Sequence, residues 1–301
     1  MSSNVVLECR NVWKKVGSRV IIRDLTFQLR EGDILGFIGA NGAGKTTSIK
    51  LMLGLQAMNG GSIEIFGFDI KKNFEKAISH VGAIVENPDL YMYMSGYENL
   101  KIVSKIYGVT DTRLNQVVKM VGLEDRIHDK VKKYSLGMRQ RLGIAQAILH
   151  QPKVLILDEP MNGLDPEGMD EFKKLLSYLA YEEKMAILIS SHILSELESF
   201  CTRVCILANG TLIKDDTMES IRKVTDKGIY LVELSSVSLE HILYQYVVLD
   251  DHHIKVVTTK ENLNNIIKTL LLNGVSIFEI KKETVSLEEV FLNMTKGDRH
   301  V

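Results

Sequence analysis

Three short stretches hold residues whose types and spacing suit them to chemistry. Gly39, Gly42 and Gly44, spaced by Ala40, Asn41 and Ala43, run into Lys45, Thr46 and Thr47. Every fixed position of the phosphate-loop pattern G-x-x-x-x-G-K-[ST] is met. Glycines at those places let the backbone turn tightly and aim amide N–H groups at an anion, and a helix starting at Thr46 adds the positive end of its dipole. Lys45 can reach the β- and γ-phosphates, and the Thr46 hydroxyl can ligate Mg²⁺. The pattern implies a bound nucleoside triphosphate. Asp158 and Glu159 close an apolar run at 154–157. Two carboxylates at the C-terminal end of a strand lie where open α/β sheets bind their ligands. Asp158 suits Mg²⁺, and Glu159 suits a general base that polarises a water in line with the γ-phosphate. His192 follows a second apolar run, 187–189, and its place after the acidic motif points it at the γ-phosphate.

These groups need a scaffold, and the pattern supplies one. The run 34–38 reads as a short buried strand entering the loop. Ile49, Leu51, Met52, Leu53 and Leu55 give the following helix an apolar face that extends to the stop at 59–61. Upstream, runs at 5–9, 20–22 and 25–29, separated by turn signals at 15–18 and at Arg23 and Asp24, predict an antiparallel β region. Downstream come a strand at 62–66, a helix at 73–79 and a strand at 81–85. Between about 89 and 150, helical spacing at 97–107, 112–121 and 137–149 predicts a helical insert between two halves of one sheet. The sheet resumes at 154–157, followed by a helix at 167–180, a strand at 186–190 and a hairpin at 204–213 turning at Asn209 and Gly210. Beyond 224–228 the organisation changes. Strands at 230–234, 246–249, 254–258 and 275–280, a helix at 261–272 and an amphipathic stretch at 286–294 predict a small α+β domain. The expectation is an α/β protein with a nucleotide-binding domain over 1–224 and an accessory domain over 225–301.

Composition narrows the classes. The 301 residues are 45% hydrophobic and 25% charged, ordinary for a globular protein, and a formal net charge of −1 gives no reason to expect a nucleic-acid partner. No apolar run approaches the roughly 18 residues that span a bilayer, and the first ten residues lack the long apolar segment of a signal peptide. Cys9, Cys201 and Cys205 are an odd, sparse set with no second pair to complete a metal site, which predicts idle thiols in the cytoplasm.

Between the two nucleotide motifs, Tyr134, Ser135, Leu136, Gly137 and Met138 open a helix with Ser135 as its natural N-cap. There the chain resembles the ATP-binding cassette family, whose signature is Leu-Ser-Gly-Gly-Gln. Ser135 and Gly137 match it, while Tyr134, Leu136 and Met138 depart. The resemblance covers about residues 4–224 and implies an ATPase using ATP and Mg²⁺. It further implies that Asn162, Gly163, Leu164 and Asp165 form the D-loop, that His192 is the switch histidine, and that Glu86 stands where Gln is usual. Glu86 then either contacts the metal or acts conformationally. In such proteins two cassettes, alike or different, dimerise head to tail, and the helix opening at Ser135 points at the γ-phosphate held by the other subunit. The family's adenine-stacking aromatic aligns with Val16, with Trp13 as the nearby alternative. Residues 285–292, the Tyr134–Met138 run and Glu86 are similar to cassettes of bacitracin-resistance exporters. The resemblance therefore implies the ATPase subunit of an exporter of drugs or antimicrobial peptides, held at the inner face of the cell membrane by a separately encoded integral membrane permease. An importer subunit and a soluble cassette ATPase of cofactor assembly are the alternatives.

Overall fold

Strands β1 (Val5–Val16) and β2 (Arg19–Arg30) form one long hairpin, closed over Gly17 and Ser18. The expected turn at Arg23 and Asp24 is corrected: it is a bulge. Ile22 pairs with Lys14 and Leu25 with Val12, so Arg23 and Asp24 together face Trp13. The freed Arg23 N–H donates to Gly210 O at 2.8 Å, and Asp24 lies beside Thr211. The bulge thus joins this hairpin to the one that turns at Asn209 and Gly210. The computed structural model describes residues 4–225, 228–235 and 246–283 and divides into two units, meeting in sequence between Thr217 and Met218.

In the first unit β3 (Ile34–Ile38) is buried throughout, and the loop after it enters α1 (Lys45–Met52). That helix stops well before the expected 59–61. Gly54, at φ 67°, donates to Leu51 O while Leu55 N–H donates to Lys50 O, so the last carbonyls are capped and Leu55 falls outside the helix. Strands β4 (Gly60–Ile65) and β5 (Phe68–Asp69), helix α2 (Phe74–Ile78) and strand β6 (Val81–Ile84) follow. The helical insert comprises α3 (Gly96–Tyr107), α4 (Asp111–Met120) and α5 (Leu136–Ile148). Each starts one residue earlier than its apolar spacing predicts, because Ser95, Thr110 and Ser135 are the N-caps, their side chains accepting from the N–H groups of Glu98, Arg113 and Met138.

The sheet resumes with β7 (Val154–Leu157), α6 (Pro166–Tyr181), β8 (Ala186–Ser191), α7 (Leu194–Glu198), β9 (Arg203–Ala208) and β10 (Thr211–Thr217). The strand order is β5-β4-β1-β2-β10-β9-β3-β8-β7-β6, with β9, β3, β8, β7 and β6 mutually parallel. Strands covered on both faces read as continuous apolar runs, which is why β3, β7 and β8 are buried along their whole length. Leu35, Phe37, Ile156 and Leu188 share one core with Ile49 and Met52 of α1. Truncating Leu188 to Ala in that core costs about 2–5 kcal/mol. Because β3, β7 and β8 are parallel neighbours, their C-terminal ends bring Gly39, Asp158 and His192 to one edge of the sheet.

The second unit has α8 (Met218–Thr225), β11 (Gly228–Leu234), β12 (Val247–Val248), β13 (His253–Thr258), α9 (Lys260–Leu272) and β14 (Ile277–Glu283). Its sheet, β12-β13-β11-β14, is antiparallel, and Tyr230, Val232, Leu234, Ile254 and Val256 pack with Leu263 and Leu270 of α9. Helix α8 goes with this unit, so the division falls at 217/218 where the sequence suggested 224/225. The amphipathic stretch 286–294 and the likeness at 285–292 lie outside the described residues. Among the described residues no helix is long and apolar enough to cross a membrane.

Candidate active site

The loop between β3 and α1 is shaped by backbone approach. At Gly39 a Cβ would lie 2.7 Å from Leu207 O, so only glycine fits beside β9. Gly44 has φ 109° and a Cβ there would meet Ile22 Cδ1 at 2.6 Å. Gly44 is also the N-cap of α1, and no side chain caps that helix. Its first N–H groups are therefore left for a ligand, as an anion-binding helix start requires. Asn41 and Gly42 are exposed on the loop, whereas Ala43 is buried, its carbonyl accepting from Gly210 N–H. Lys45 is only 5% exposed. Its ammonium donates to Gly39 O at 2.7 Å and pairs with Glu159 Oε1 at 3.0 Å. A buried cation spanning the loop suits phosphate oxygens. Thr46 and Thr47 follow it, half-buried, in the first turn of α1.

The register of β7 with β8 pairs Leu157 with Ile189, so the next residues, Asp158 and Ser190, are neighbours. Asp158 is 2% exposed and accepts from Ser190 Oγ at 2.7 Å. Glu159 has a left-handed backbone, φ 46°, a strain of about 1–3 kcal/mol for a residue with a side chain. Its N–H donates to Ser190 Oγ at 2.8 Å. Its carboxylate meets Asn162 Nδ2 at 2.6 Å, Lys45 Nζ at 3.0 Å and His192 Nδ1 at 2.9 Å. Burial works to raise the Glu159 carboxyl, but the Asn162 and Lys45 hydrogen bonds and the nearby Lys45 and His192 outweigh it and hold it below its ordinary value. An ionised carboxylate beside a phosphate loop is equipped to take a proton from water. Thr46 and Asp158 offer hard oxygen donors fitting Mg²⁺. Among the described residues no group of three or more His, Cys, Asp or Glu forms a further metal cluster, and Cys9, Cys201 and Cys205 are buried free thiols.

Gly39, Lys45, Asp158, Glu159 and His192 thus converge. Glu86 is placed differently: its side chain is 65% exposed and pairs with Lys50 of α1 at 2.9 Å. Val16, 60% exposed, stands at the hairpin tip opposite Arg19. Trp13 lies over β4, where a Cβ at Gly60 would run into its indole. Ser135, Gly137 and Asp165 come together with Arg141, Gly163 and Glu171 in a separate cleft of about 330 Å³. Ser135 caps α5 by accepting from Met138 N–H, and Asp165 caps α6 by accepting from Gly168 N–H. Tyr134, buried, donates its hydroxyl to Arg126 O, and Leu136 packs on Gly163. Sequence reasoning missed Ser190, Lys50 and the Asn162 side-chain bond. Aligning the parallel runs 154–157 and 187–189 side by side would have exposed Ser190.

A mixed sheet with a phosphate loop after one of its interior parallel strands, and an acidic pair and a histidine on adjacent strand ends, defines a phosphate-loop nucleoside triphosphatase. A family model described as ABC transporter matches residues 22–162. The uncharacterized ABC transporter ATP-binding protein YhcH of Bacillus subtilis (strain 168) is 48% identical over 297 residues, 96% of each chain. The bacitracin transport ATP-binding protein BcrA of Bacillus licheniformis is 37% identical over 302 residues, 98% of each. A solved ATP binding subunit of an ABC transporter superposes with a TM-score of 0.65 at 30% identity, covering 72% of this chain and 92% of that one. The chain belongs to the ABC transporter ATP-binding proteins. It is an ATP-binding subunit and an ATPase.

Proposed function

We propose that this subunit powers export of a drug or antimicrobial peptide through a separately encoded membrane permease, working as a pair of cassettes on the inner face of the cell membrane. The observation that carries this reading is the likeness to BcrA, which runs through both units of the chain.

In the proposed mechanism, phosphate oxygens take over the Lys45 donors now spent on Gly39 O and Glu159, while the free N–H groups after Gly44 receive the anion. Thr46 and Asp158 would hold Mg²⁺, which neutralises charge developing on the phosphates. Glu159, kept ionised by its neighbours, accepts the proton of the attacking water, and His192 orients it through the 2.9 Å contact. The cleft at Ser135, Gly137 and Asp165 receives the phosphate loop of the second cassette, whose γ-phosphate meets the N-terminus of α5. Losing the γ-phosphate then opens the pair. Glu86, tied to Lys50, serves a conformational role in the segment leading to α3, and Val16 offers the base apolar contact.

The test is whether the adjacent gene encodes a membrane protein with about six apolar spans, followed by co-expression of this chain with that protein. The chain should move to the membrane fraction and its ATPase rate should respond to the transported compound. A chain that stays out of that fraction and copurifies with ribosomes or nucleic acid would sink the transporter assignment.

A further inference from the structure

Asp158 and Glu159 are tied to one hydroxyl. Ser190 is fully buried; its Oγ donates to Asp158 Oδ1 at 2.7 Å and accepts from Glu159 N–H at 2.8 Å. A backbone N–H can only donate and a serine hydroxyl carries a single proton, so both directions are fixed: a lone pair takes the Glu159 N–H and the proton goes to Asp158 Oδ1. One oxygen of Asp158 is thereby occupied within the protein and the other is left for a cation. The second bond anchors the amide of Glu159, a residue held in the left-handed region at φ 46°. Two positions further along, His192 Nδ1 meets Glu159 Oε2. The end of β8 therefore grips the Asp158 side chain, the Glu159 backbone and the Glu159 side chain at once.

We infer that Ser190 is a positioning residue for ATP hydrolysis: its hydroxyl sets the Asp158 carboxylate for the magnesium nucleotide and fixes the backbone from which Glu159 reaches the water. The inference rests on the roles proposed above for Asp158 and Glu159. A hydroxyl that merely satisfied buried neighbours would affect folding stability alone. A positioning hydroxyl affects the response to Mg²⁺ and the turnover number while leaving metal-free nucleotide binding in place.

Those alternatives separate in the full-length chain with Ser190→Ala, Ser190→Thr and Ser190→Cys. ATP is titrated first in EDTA and then at fixed ATP with rising Mg²⁺, and kcat and KM are measured in parallel. Ser190→Ala should bind ATP in EDTA within about twofold of wild type, because Lys45 and the loop amides are untouched. It should need about tenfold more Mg²⁺ for half-maximal tightening and lose about tenfold to a hundredfold in kcat, the size expected for a bond to a charged group. KM for ATP should move little. Ser190→Thr, which keeps the hydroxyl, should restore both quantities. If Ser190→Ala does not fold, Ser190→Cys decides, since a thiol fills similar space but donates weakly; the same two losses support the inference. Folded Ala or Cys variants with wild-type Mg²⁺ response and kcat would overturn it. Asp158→Asn is run beside them. A lost Mg²⁺ response there with an unchanged Ser190→Ala rejects Ser190 alone, whereas an unchanged response in Asp158→Asn rejects the metal reading of the site and the inference with it.

Discussion

Lys45 and Glu159 hold each other at 3.0 Å across the mouth of the phosphate loop, so the carboxylate proposed as the base also competes with phosphate for the lysine. Removing that carboxylate charge should leave ATP binding intact or tighten it severalfold. The same contacts make a pH prediction. The Glu159 carboxyl is held below its ordinary 4.5 in the folded chain, so its ionisation favours the folded state. That contribution is complete above about pH 4.5 and is lost as the pH falls through the lower folded value. Urea unfolding of wild type and Glu159→Gln should therefore differ by a constant amount from pH 5 to 8 and converge in stronger acid. A difference that grew on acidification would contradict the assigned direction. At this scale the phosphate loop was legible because its chemistry is local, eight consecutive positions read in order. Ser190 and Lys50 were not, because they act 32 and 36 residues away from Asp158 and Glu86. Only strand pairing and helix direction bring such partners together.

Among the elements, hairpin β1–β2 bears on base recognition. Trp13 is committed to packing on Gly60, whereas Val16 at the tip is open. Trp13→Ala should lower thermal stability and leave ATP affinity within about twofold. Val16→Tyr should tighten ATP by about tenfold if it stacks, since a base–aromatic stack is worth roughly 1–3 kcal/mol. Strong loss of ATP binding in a folded Trp13→Ala would reverse the assignment. A second joint links the helical insert to the sheet. His150 Nε2 contacts Val81 O at 3.2 Å while the ring stacks on Tyr107, with centroids 4.4 Å apart. Burial pushes its pKa below the ordinary 6.5, so the unfolded chain takes the proton first and stability falls as the pH drops below 6.5. In His150→Gln that slope should flatten in chemical unfolding between pH 7 and 5.5; an unchanged slope would remove His150 as its source. Element types were legible from apolar period and turn residues. Boundaries failed where one residue had two readings. Gly54 caps α1 where the sequence suggested a later stop, and Arg23 and Asp24 form a bulge where it suggested a turn.

Over the whole molecule, the two units differ in how much of their purpose their residues carry. The first, ending at Thr217, contains every group proposed to act on the nucleotide, and its sheet topology follows from runs that alternate with helices. The second has a small core of its own but no comparable constellation among the described residues, so its sequence announced an α+β domain and little more. The cleft at Ser135, Gly137 and Asp165 is separate from the Lys45–Glu159–His192 cluster, and pairing of two cassettes is the arrangement that would bring one chain's cleft to the other's phosphate loop. That pairing, with Glu159 as its chemical trigger, is the centre of the account. Light scattering on purified Glu159→Gln with ATP and Mg²⁺, with phosphate release followed in the same sample, tests it most directly. The expected result is negligible turnover and a stable species of twice the 33.9 kDa of one chain, dissolving when ATP is removed. A mutant that stays at the mass of one chain in saturating ATP, or that hydrolyses ATP at the wild-type rate, would contradict it.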